Sequence, residues 1–413
     1  MVDRALGASE SRTSRKHLKW PSYRWRLVLV GAVISALVGG STFYGLGAFF
    51  SPLQSEFNWS FSVLSGAFAV QYAVSGVATL IFGWFFDRIH PAYLAVIGIL
   101  VTGLSFAALS QIDSTTGLYL AFAAMGIGSS AATFLLFNSL IALWFHRSLG
   151  LALAVVQTGY AIGGLTAAGF VNSIGSVGWR TTSLVAGAAI AVIGLPLCPL
   201  IRRPASHSNT ADSRVDGSGV AATLRLSSFW VILTVIAISS AITQAVYAHQ
   251  IRAMLTFGIT PAVAGLAAGT TGLIGLAGRY AFGIATERIS SRNLFAAAQV
   301  LQGAGTLALA ASASGLSPFW FVVLFGTGQS AIFLLSPIVQ RDYFGTKDFG
   351  TVQGLLLGPS LILSAVGPLV IGVTVDAYHS YRPSLLAAGF LAVGLAGIIV
   401  LARKARQDTT LRC

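Results

Sequence analysis

The sequence predicts an all-α membrane protein with twelve transmembrane helices in two pseudo-symmetric six-helix bundles. Three observations predict it: a shortage of charge, twelve long apolar runs, and an internal repeat near 200 residues. The chain has 413 residues, of which 55% are hydrophobic and only 9% charged. A soluble globular protein carries about 25% charged residues, so this chain cannot cover its surface with solvated side chains. A soluble enzyme, a secreted disulfide scaffold and a disordered regulator are excluded together. Of the two cysteines, Cys198 lies in an apolar stretch and Cys413 ends the chain, so no disulfide framework is implied.

A helix needs about 20 apolar residues to cross a hydrocarbon core roughly 30 Å thick. Such runs, separated by charge, proline or Asn/Asp/Ser clusters, fall at 27–50, 61–86, 92–111, 116–144, 149–172, 180–201, 227–251, 261–286, 292–312, 317–340, 349–375 and 382–402. Their length and the absence of period-two alternation exclude strands. The first run is longer than the apolar region of a cleavable signal, about 7–15 residues, and reads as a retained span. The charges then fix an orientation. With both termini cytoplasmic, 21 of the 25 Lys/Arg residues lie inside, Arg180, Arg252 and Arg382 lie outside, and Arg279 lies within a span. That asymmetry is the positive-inside rule, and it predicts a multi-pass protein of the cytoplasmic (inner) membrane. The net charge of +13 therefore reads as topology, and nucleic acid is not an expected partner.

The two halves match at a nearly constant offset. Gly83-Trp-Phe-Phe-Asp87-Arg88 answers Gly283-Ile-Ala-Thr-Glu287-Arg288, Gly126-Ile-Gly128 answers Gly326-Thr-Gly328, and Gly150 answers Gly350. Trp179-Arg180 answers Tyr381-Arg382 with a slip of two. Ser60 and Thr260 stand where helix N-caps belong, with Pro261 at a favourable first helical position. The predicted organisation is an N-terminal bundle, 1–201, a cytoplasmic linker, 202–226, and a C-terminal bundle, 227–413. The linker is rich in Ser, Thr, Asp and Gly, has little apolar surface to bury, and is expected to be mobile.

On these residues the chain resembles the major facilitator superfamily of secondary transporters over nearly its whole length. Gly83-x-x-x-Asp87-Arg88 looks like the family's signature between spans two and three, and Gly283-x-x-x-Glu287-Arg288 like its repeat copy. Ile89-His90-Pro91 departs from that pattern by lacking its glycine and trailing basic residues. Within the superfamily the chain looks most like the monocarboxylate and oxalate–formate branch. The finer match is carried by Tyr44-Gly-Leu-Gly-Ala-Phe49-Phe50, Trp144-Phe-His-Arg147-Ser-Leu-Gly150-Leu-Ala, His249 ahead of Gly258-Ile-Thr, and Gly278-Arg279-Tyr-Ala-Phe-Gly283. The resemblance implies alternating access, with Asp87, Arg88, Glu287 and Arg288 as conformational braces and the span-eight arginine as the substrate-anion contact. Some proton-coupled members carry an Asp where this chain has Gly275 and a Lys near Tyr44, so that relay does not carry over.

Arg279 is the most informative position. It lies seven residues inside span eight, about 10 Å from the interface. A charge at that depth costs at least about 2.5–3.5 kcal/mol and should face a wet cavity or a partner. No carboxylate falls inside the predicted spans. A permanent cation without a protein counter-ion suits a carboxylate ligand, which its planar fork grips with two bonds. Gly275, one turn earlier, is expected to leave room for it. The competing reading is an arginine that snorkels or bonds backbone carbonyls. Polar and aromatic residues on the central spans are candidates to complete a substrate site: Tyr44, Gln71, Tyr72, Asn138, Gln157, Tyr160, Gln244 and Tyr247. Each has interhelical bonding as its alternative fate. His249 is a candidate for a coupling proton, or a neutral hydrogen-bonded histidine. Arg252 is either an anion attractor at the outer mouth or an interfacial residue facing headgroups.

The expected function is secondary transport of a small organic anion, a monocarboxylate, with protons or a counter-anion as coupling partner. The lipid bilayer surrounds the chain, which is expected to act as a monomer. The alternatives are an exporter of a drug or other metabolite with Arg279 structural, and a non-transporting membrane sensor. No P-loop, metal-ligand spacing or nucleophile elbow occurs, so neither a cofactor, a metal nor an enzymatic activity is expected.

Overall fold

The computed structural model describes residues 23–145, 147–163, 165–204, 219–312 and 318–401. The basic residues ahead of Tyr23, the middle of the linker and the C-terminal basic cluster lie outside the described residues, as does the expected linker mobility. Among the described residues, twelve helices are long and apolar enough to cross a membrane. They are α1 Tyr23–Phe57, α2 Ser62–Arg88, α3 Pro91–Leu109, α4 Thr115–Trp144, α5 Leu149–Val177 and α6 Trp179–Leu200. The second half holds α7 Ser227–Thr256, α8 Pro261–Ala285, α9 Ser291–Ala311, α10 Pro318–Phe344, α11 Phe349–Tyr378 and α12 Arg382–Leu401. A one-turn helix, Val220–Leu224, precedes α7 at the end of the linker.

Several helices overrun the apolar windows read from the sequence, at their C-terminal ends α1 by seven residues and α7 by five. Polar residues at an interface continue a helix readily, because nothing there forbids a solvated side chain. The stop comes from the backbone instead. Asn58 (φ 54°) ends α1 and Gly258 (φ 84°) follows α7. The left-handed residues recur at the repeat distance: Asn58 with Gly258, Ser148 (φ 59°) with Asp348 (φ 49°), and Gly178 (φ 82°) with His379 (φ 51°) one residue out of step. Ser60 caps α2 by accepting from Val63 N. Thr260 occupies the equivalent place without a side-chain cap bond, and Pro261 opens α8.

Each bundle is joined internally by small residues and polar bonds, the means available where lipid removes the hydrophobic drive between helices. In the first bundle Ser75 Oγ donates to the Gly126 carbonyl at 3.1 Å and Ser130 Oγ to the Ser75 carbonyl at 3.0 Å, tying α2 to α4. In the second, Gln302 Nε2 donates to Thr243 Oγ1 at 2.7 Å and Gln299 Nε2 to Ser239 Oγ at 2.8 Å, tying α7 to α9.

Both described ends of the chain emerge on one face, which carries Arg24, Arg26, Arg88, Arg147, Arg202, Arg203, Arg225, Arg288, Arg292, Arg341 and Lys347. On this basic face the bundles meet through two symmetry-related crossings, α2 with α11 and α5 with α8. A Cβ added at Gly83 would run into the Gly350 carbonyl, and one added at Gly150 into the Gly283 carbonyl. The glycines that match along the sequence at the repeat distance are therefore the ones that face each other across the interface, in crossed pairs.

Two helices break near mid-depth. α1 widens to π geometry over Ser35–Tyr44 and tightens to 3₁₀ geometry over Gly45–Phe49. α4 is interrupted at Thr133, whose Oγ1 donates to the Ser129 carbonyl. Such irregular turns redirect side chains, and within a membrane they persist where protein or a water-filled cavity covers them.

Candidate functional site

The breaks in α1 and α4 bring Phe43 and Phe134 together, ring centroids 6.4 Å apart. Tyr160 of α5 stacks on Phe134 at 4.0 Å and 12°, and Tyr72 of α2 approaches Phe43 at 5.8 Å. Phe333 of α10 faces Phe134 from the other bundle at 6.1 Å. Tyr72 also lies near Gln244 of α7. On the second bundle's side, Gln329 Nε2 donates to Tyr247 Oη at 2.7 Å. Tyr44, half exposed, is in electrostatic contact with Tyr72, Tyr160 and Tyr247. These residues form one mid-depth group drawn from both bundles.

Arg279 enters this group from α8. Its Nη1 donates to the Gln157 carbonyl of α5 at 3.0 Å, and its Nε is buried with no hydrogen-bond partner. Its charge acts on the phenols of Tyr160 and Tyr247. Among the described residues the one ion pair joins Arg180 to Glu56, so no carboxylate neutralises Arg279. The backbone-bonded alternative is thus realised at one nitrogen only. Beside it, Thr158 Oγ1 and Tyr280 Oη lie 3.0 Å apart, and Gln157 Nε2 reaches the Phe333 carbonyl at 3.5 Å.

The expectation for Gly275 is corrected. A Cβ there would collide with Ser330 Oγ, so Gly275 packs α8 against α10 and leaves no room for a ligand. The open glycines lie elsewhere on the helix. Gly265, Gly269 and Gly272 follow a heptad stripe that leads to Arg279, and an added Cβ at each meets nothing within 4 Å. The stripe begins near the face opposite the basic one and ends at Arg279, which reaches α5.

Other expected residues fall as follows. Gln71 is buried beside the group, with Nε2 donating to the Thr42 carbonyl at 3.0 Å and Oε1 unpartnered. Gln157 Oε1 and Tyr160 Oη are likewise buried without partners, Tyr160 facing Ser35 and Thr133. Asn138 is buried one turn beyond Phe134 toward the basic face, outside the aromatic group. His249 stands apart in the second bundle, where Nε2 donates to the Pro368 carbonyl at 3.0 Å and the ring packs on Tyr381 at 5.6 Å. Arg252 is exposed near the end of α7 and does not join the group.

The four residues expected as conformational braces divide by charge. Asp87 caps the start of α11 in the other bundle: Oδ1 accepts from Gly350 N at 3.0 Å, and Oδ2 from Thr351 N at 2.7 Å and Thr351 Oγ1 at 2.6 Å. Glu287 sits at the start of α5, accepting from Ser148 Oγ at 3.3 Å. An acid at a helix N-terminus meets free N–H groups and the positive end of the dipole. The arginines do not share this role. Arg88 folds back over the Trp84 ring at 4.0 Å and donates to the Trp84 carbonyl, and Arg288 is exposed. A cation would be repelled at the N-terminus that attracts its neighbour. Instead Arg203 lies over Phe86 at 5.1 Å and donates to the Asp87 carbonyl at 3.1 Å. Burial lowers its pKa, and the Asp87 charge opposes that shift.

Sequence reasoning missed Phe43, Phe134, Phe333 and Gln329. Phenylalanine is common in any span, and only the breaks at Tyr44 and Thr133 single these rings out. The groove between α9 and α12, by contrast, is lined by alkyl groups such as Ala296, Val300, Val393 and Leu401 and offers nothing polar to an anion.

Comparison with known proteins completes the description. The sequence profile of the Major Facilitator Superfamily matches residues 32–252 and 250–412. The chain is 22% identical over 392 residues to the uncharacterized MFS-type transporter YcxA of Bacillus subtilis, covering 92% of this chain and 95% of that protein. It is 25% identical over 402 residues to the MFS transporter asaE of Aspergillus flavus, covering 91% and 86%. The human organic anion transporter MFSD10 superposes with a TM-score of 0.70 at 15% identity, over 92% of this chain and 100% of that one. The Escherichia coli fucose:proton symporter FucP superposes with a TM-score of 0.71 at 14% identity, over 92% and 99%. At these identities the structural likeness speaks to the fold.

Proposed function

The chain belongs to the major facilitator superfamily, and from that premise we propose that it carries a small organic anion, a monocarboxylate, by alternating access. The two bundles, 1–201 and 227–413, are the moving bodies and 202–226 their linker, with the basic face cytoplasmic. One observation carries the cargo class: Arg279 is a mid-depth cation with no carboxylate partner and a buried, unpartnered Nε, at the foot of an open glycine stripe. The resemblance to the monocarboxylate branch supports the same reading, and an organic anion transporter exists on this fold.

In this reading the anion descends the stripe and takes the free side of the guanidinium fork. The other side already reaches Gln157 across the gap, so a bound carboxylate neutralises the charge exactly where the bundles must rock. Release toward the basic face requires Asp87 and Glu287 to leave the α11 and α5 N-termini. Those bonds exist in one state only, which is what a two-state device needs. The bond from His249 to Pro368 supports a structural part for that histidine.

A second reading has its own observation. The Arg279–Gln157 bond makes Arg279 a strut between bundles in a carrier of another substrate class, such as a drug or metabolite exporter. Liposomes containing the protein and a panel of labelled monocarboxylates separate the two. Losing one partner of a buried charged contact costs about 2–5 kcal/mol, so Arg279→Gln should weaken anion binding by at least about 30-fold. Arg279→Lys can still donate one bond to Gln157 but cannot fork a carboxylate. Full transport in Arg279→Lys, or unchanged uptake in Arg279→Gln, would remove the anchor role.

A further inference from the structure

The rings beside Arg279 say more about the cargo than its charge does. Phe43, Tyr72, Phe134 and Phe333 are each only partly buried although they sit at mid-depth, where helix packing would normally enclose them. Around Phe43 the ring centroids of Tyr72, Phe134 and Tyr160 lie at 5.8, 6.4 and 6.5 Å. Phe134 stacks with Tyr160 on its own bundle and faces Phe333 on the other, at 4.0 and 6.1 Å with interplanar angles of 12° and 24°. Gln157 links the wall to Arg279: its carbonyl accepts from Arg279 Nη1 at 3.0 Å and its Nε2 reaches the Phe333 carbonyl at 3.5 Å. Guanidinium and aromatic wall are thus neighbours, and the wall spans the gap between the bundles.

We propose that the cargo is a carboxylate borne on a flat apolar body, an aryl or similarly planar monocarboxylate. The inference rests on Arg279 as the anion contact. With the carboxylate on that fork, the rest of the ligand lies against the rings, where a planar body gains offset-stacked or edge-to-face contacts beyond the area it buries. A two- or three-carbon acid would leave the aromatic wall uncovered. A dicarboxylate would set its second charge among rings, since Arg279 is the one Lys or Arg within the predicted spans away from their ends, and an unpaired charge in apolar surroundings is strongly disfavoured. Gln71 Oε1 and Gln157 Oε1 are buried acceptors without a partner, and a hydroxyl on that body would supply one.

The test is competition binding on purified protein in liposomes with benzoate, phenylacetate, lactate, oxalate and the neutral benzyl alcohol. Benzoate or phenylacetate should bind at least tenfold more tightly than lactate and oxalate. Phe43→Leu and Phe333→Leu, one in each bundle, should erase that preference by lowering benzoate affinity at least tenfold, far more than they lower lactate affinity. Phe134→Tyr, which keeps the ring, should retain it. Melting temperatures identify any variant that fails to fold, and either leucine variant suffices. Lactate or oxalate binding as tightly as benzoate, with Arg279→Gln abolishing both, overturns the aromatic inference and leaves the anion reading standing. Benzyl alcohol matching benzoate, or benzoate binding unaffected by Arg279→Gln, overturns the anion reading and the inference with it.

Discussion

At the scale of single residues, the same charge does different work according to what its backbone surroundings offer. Asp87 and Arg88 are neighbours in sequence, yet Asp87 crosses to the α11 N-terminus while Arg88 lies back on Trp84. The N–H groups that satisfy the carboxylate exclude the guanidinium. This fixes a prediction for Asp87→Asn, which keeps one acceptor but loses the charge. A carboxylate at a helix N-terminus contributes about 0.3–1 kcal/mol, and up to about 2 when partly buried. The variant should therefore shift the population toward the state open at the basic face by roughly fivefold, taking about 1 kcal/mol. Distances between spin labels at Val177 and Val263, on the opposite face, would report the shift as a shortened population. An unaltered distribution would mean that Asp87 braces neither state.

At the scale of helices, function depends on where chains approach closely and where they do not. The α5–α8 and α2–α11 crossings require glycine because a backbone carbonyl occupies the place of a Cβ. Further along α8, the glycines at 265, 269 and 272 have open space instead. The same residue type thus closes one end of the gap and keeps the other clear. Gly150→Val should hold α5 and α8 apart at the basic face and abolish transport. The melting temperature should change little, because contacts within each bundle are untouched. Gly175→Val, where an added Cβ meets nothing within 4 Å, is the matched control and should transport normally. Equal transport by both variants would show that close approach at the Gly150–Gly283 crossing is dispensable.

At the scale of the whole molecule, two copies of a six-helix plan face each other across a central gap. Left-handed turn residues repeat at 58 and 258 and at 148 and 348, and acidic caps repeat at 87 and 287. Among the described residues the hydrogen bonds between bundles run from Arg279–Gln157 at mid-depth to Asp87 and Glu287 at the basic face. Among the described residues the bundles are therefore tied together at mid-depth and closed by close helix approach at the basic end. Positive-inside asymmetry predicts that the closed end is cytoplasmic. A green fluorescent protein fused after Cys413 should fluoresce in intact cells, and a cysteine placed ahead of Tyr23 should resist impermeant thiol reagents. Labelling of that cysteine from outside would reverse the orientation and the sense of the transport cycle.

The sequence by itself determined the number of spans, their order, the repeat and the isolation of Arg279. Each follows from local quantities: apolar length against membrane thickness, charge placement, and offsets between matching residues. Most of the polar and aromatic candidates also converge, because buried polar groups in a membrane chain have few places to go. Tertiary structure alone decided what those residues touch. It set Gly275 against Ser330 and left Gly272 open, bonded His249 to Pro368 away from the centre, turned Arg88 away from the helix start that Asp87 reaches, and gathered Phe43, Phe134 and Phe333 at mid-depth between the bundles. The physical reason is that helix–helix registry and the breaks in α1 and α4 depend on contacts between residues more than a hundred positions apart, which no local pattern encodes.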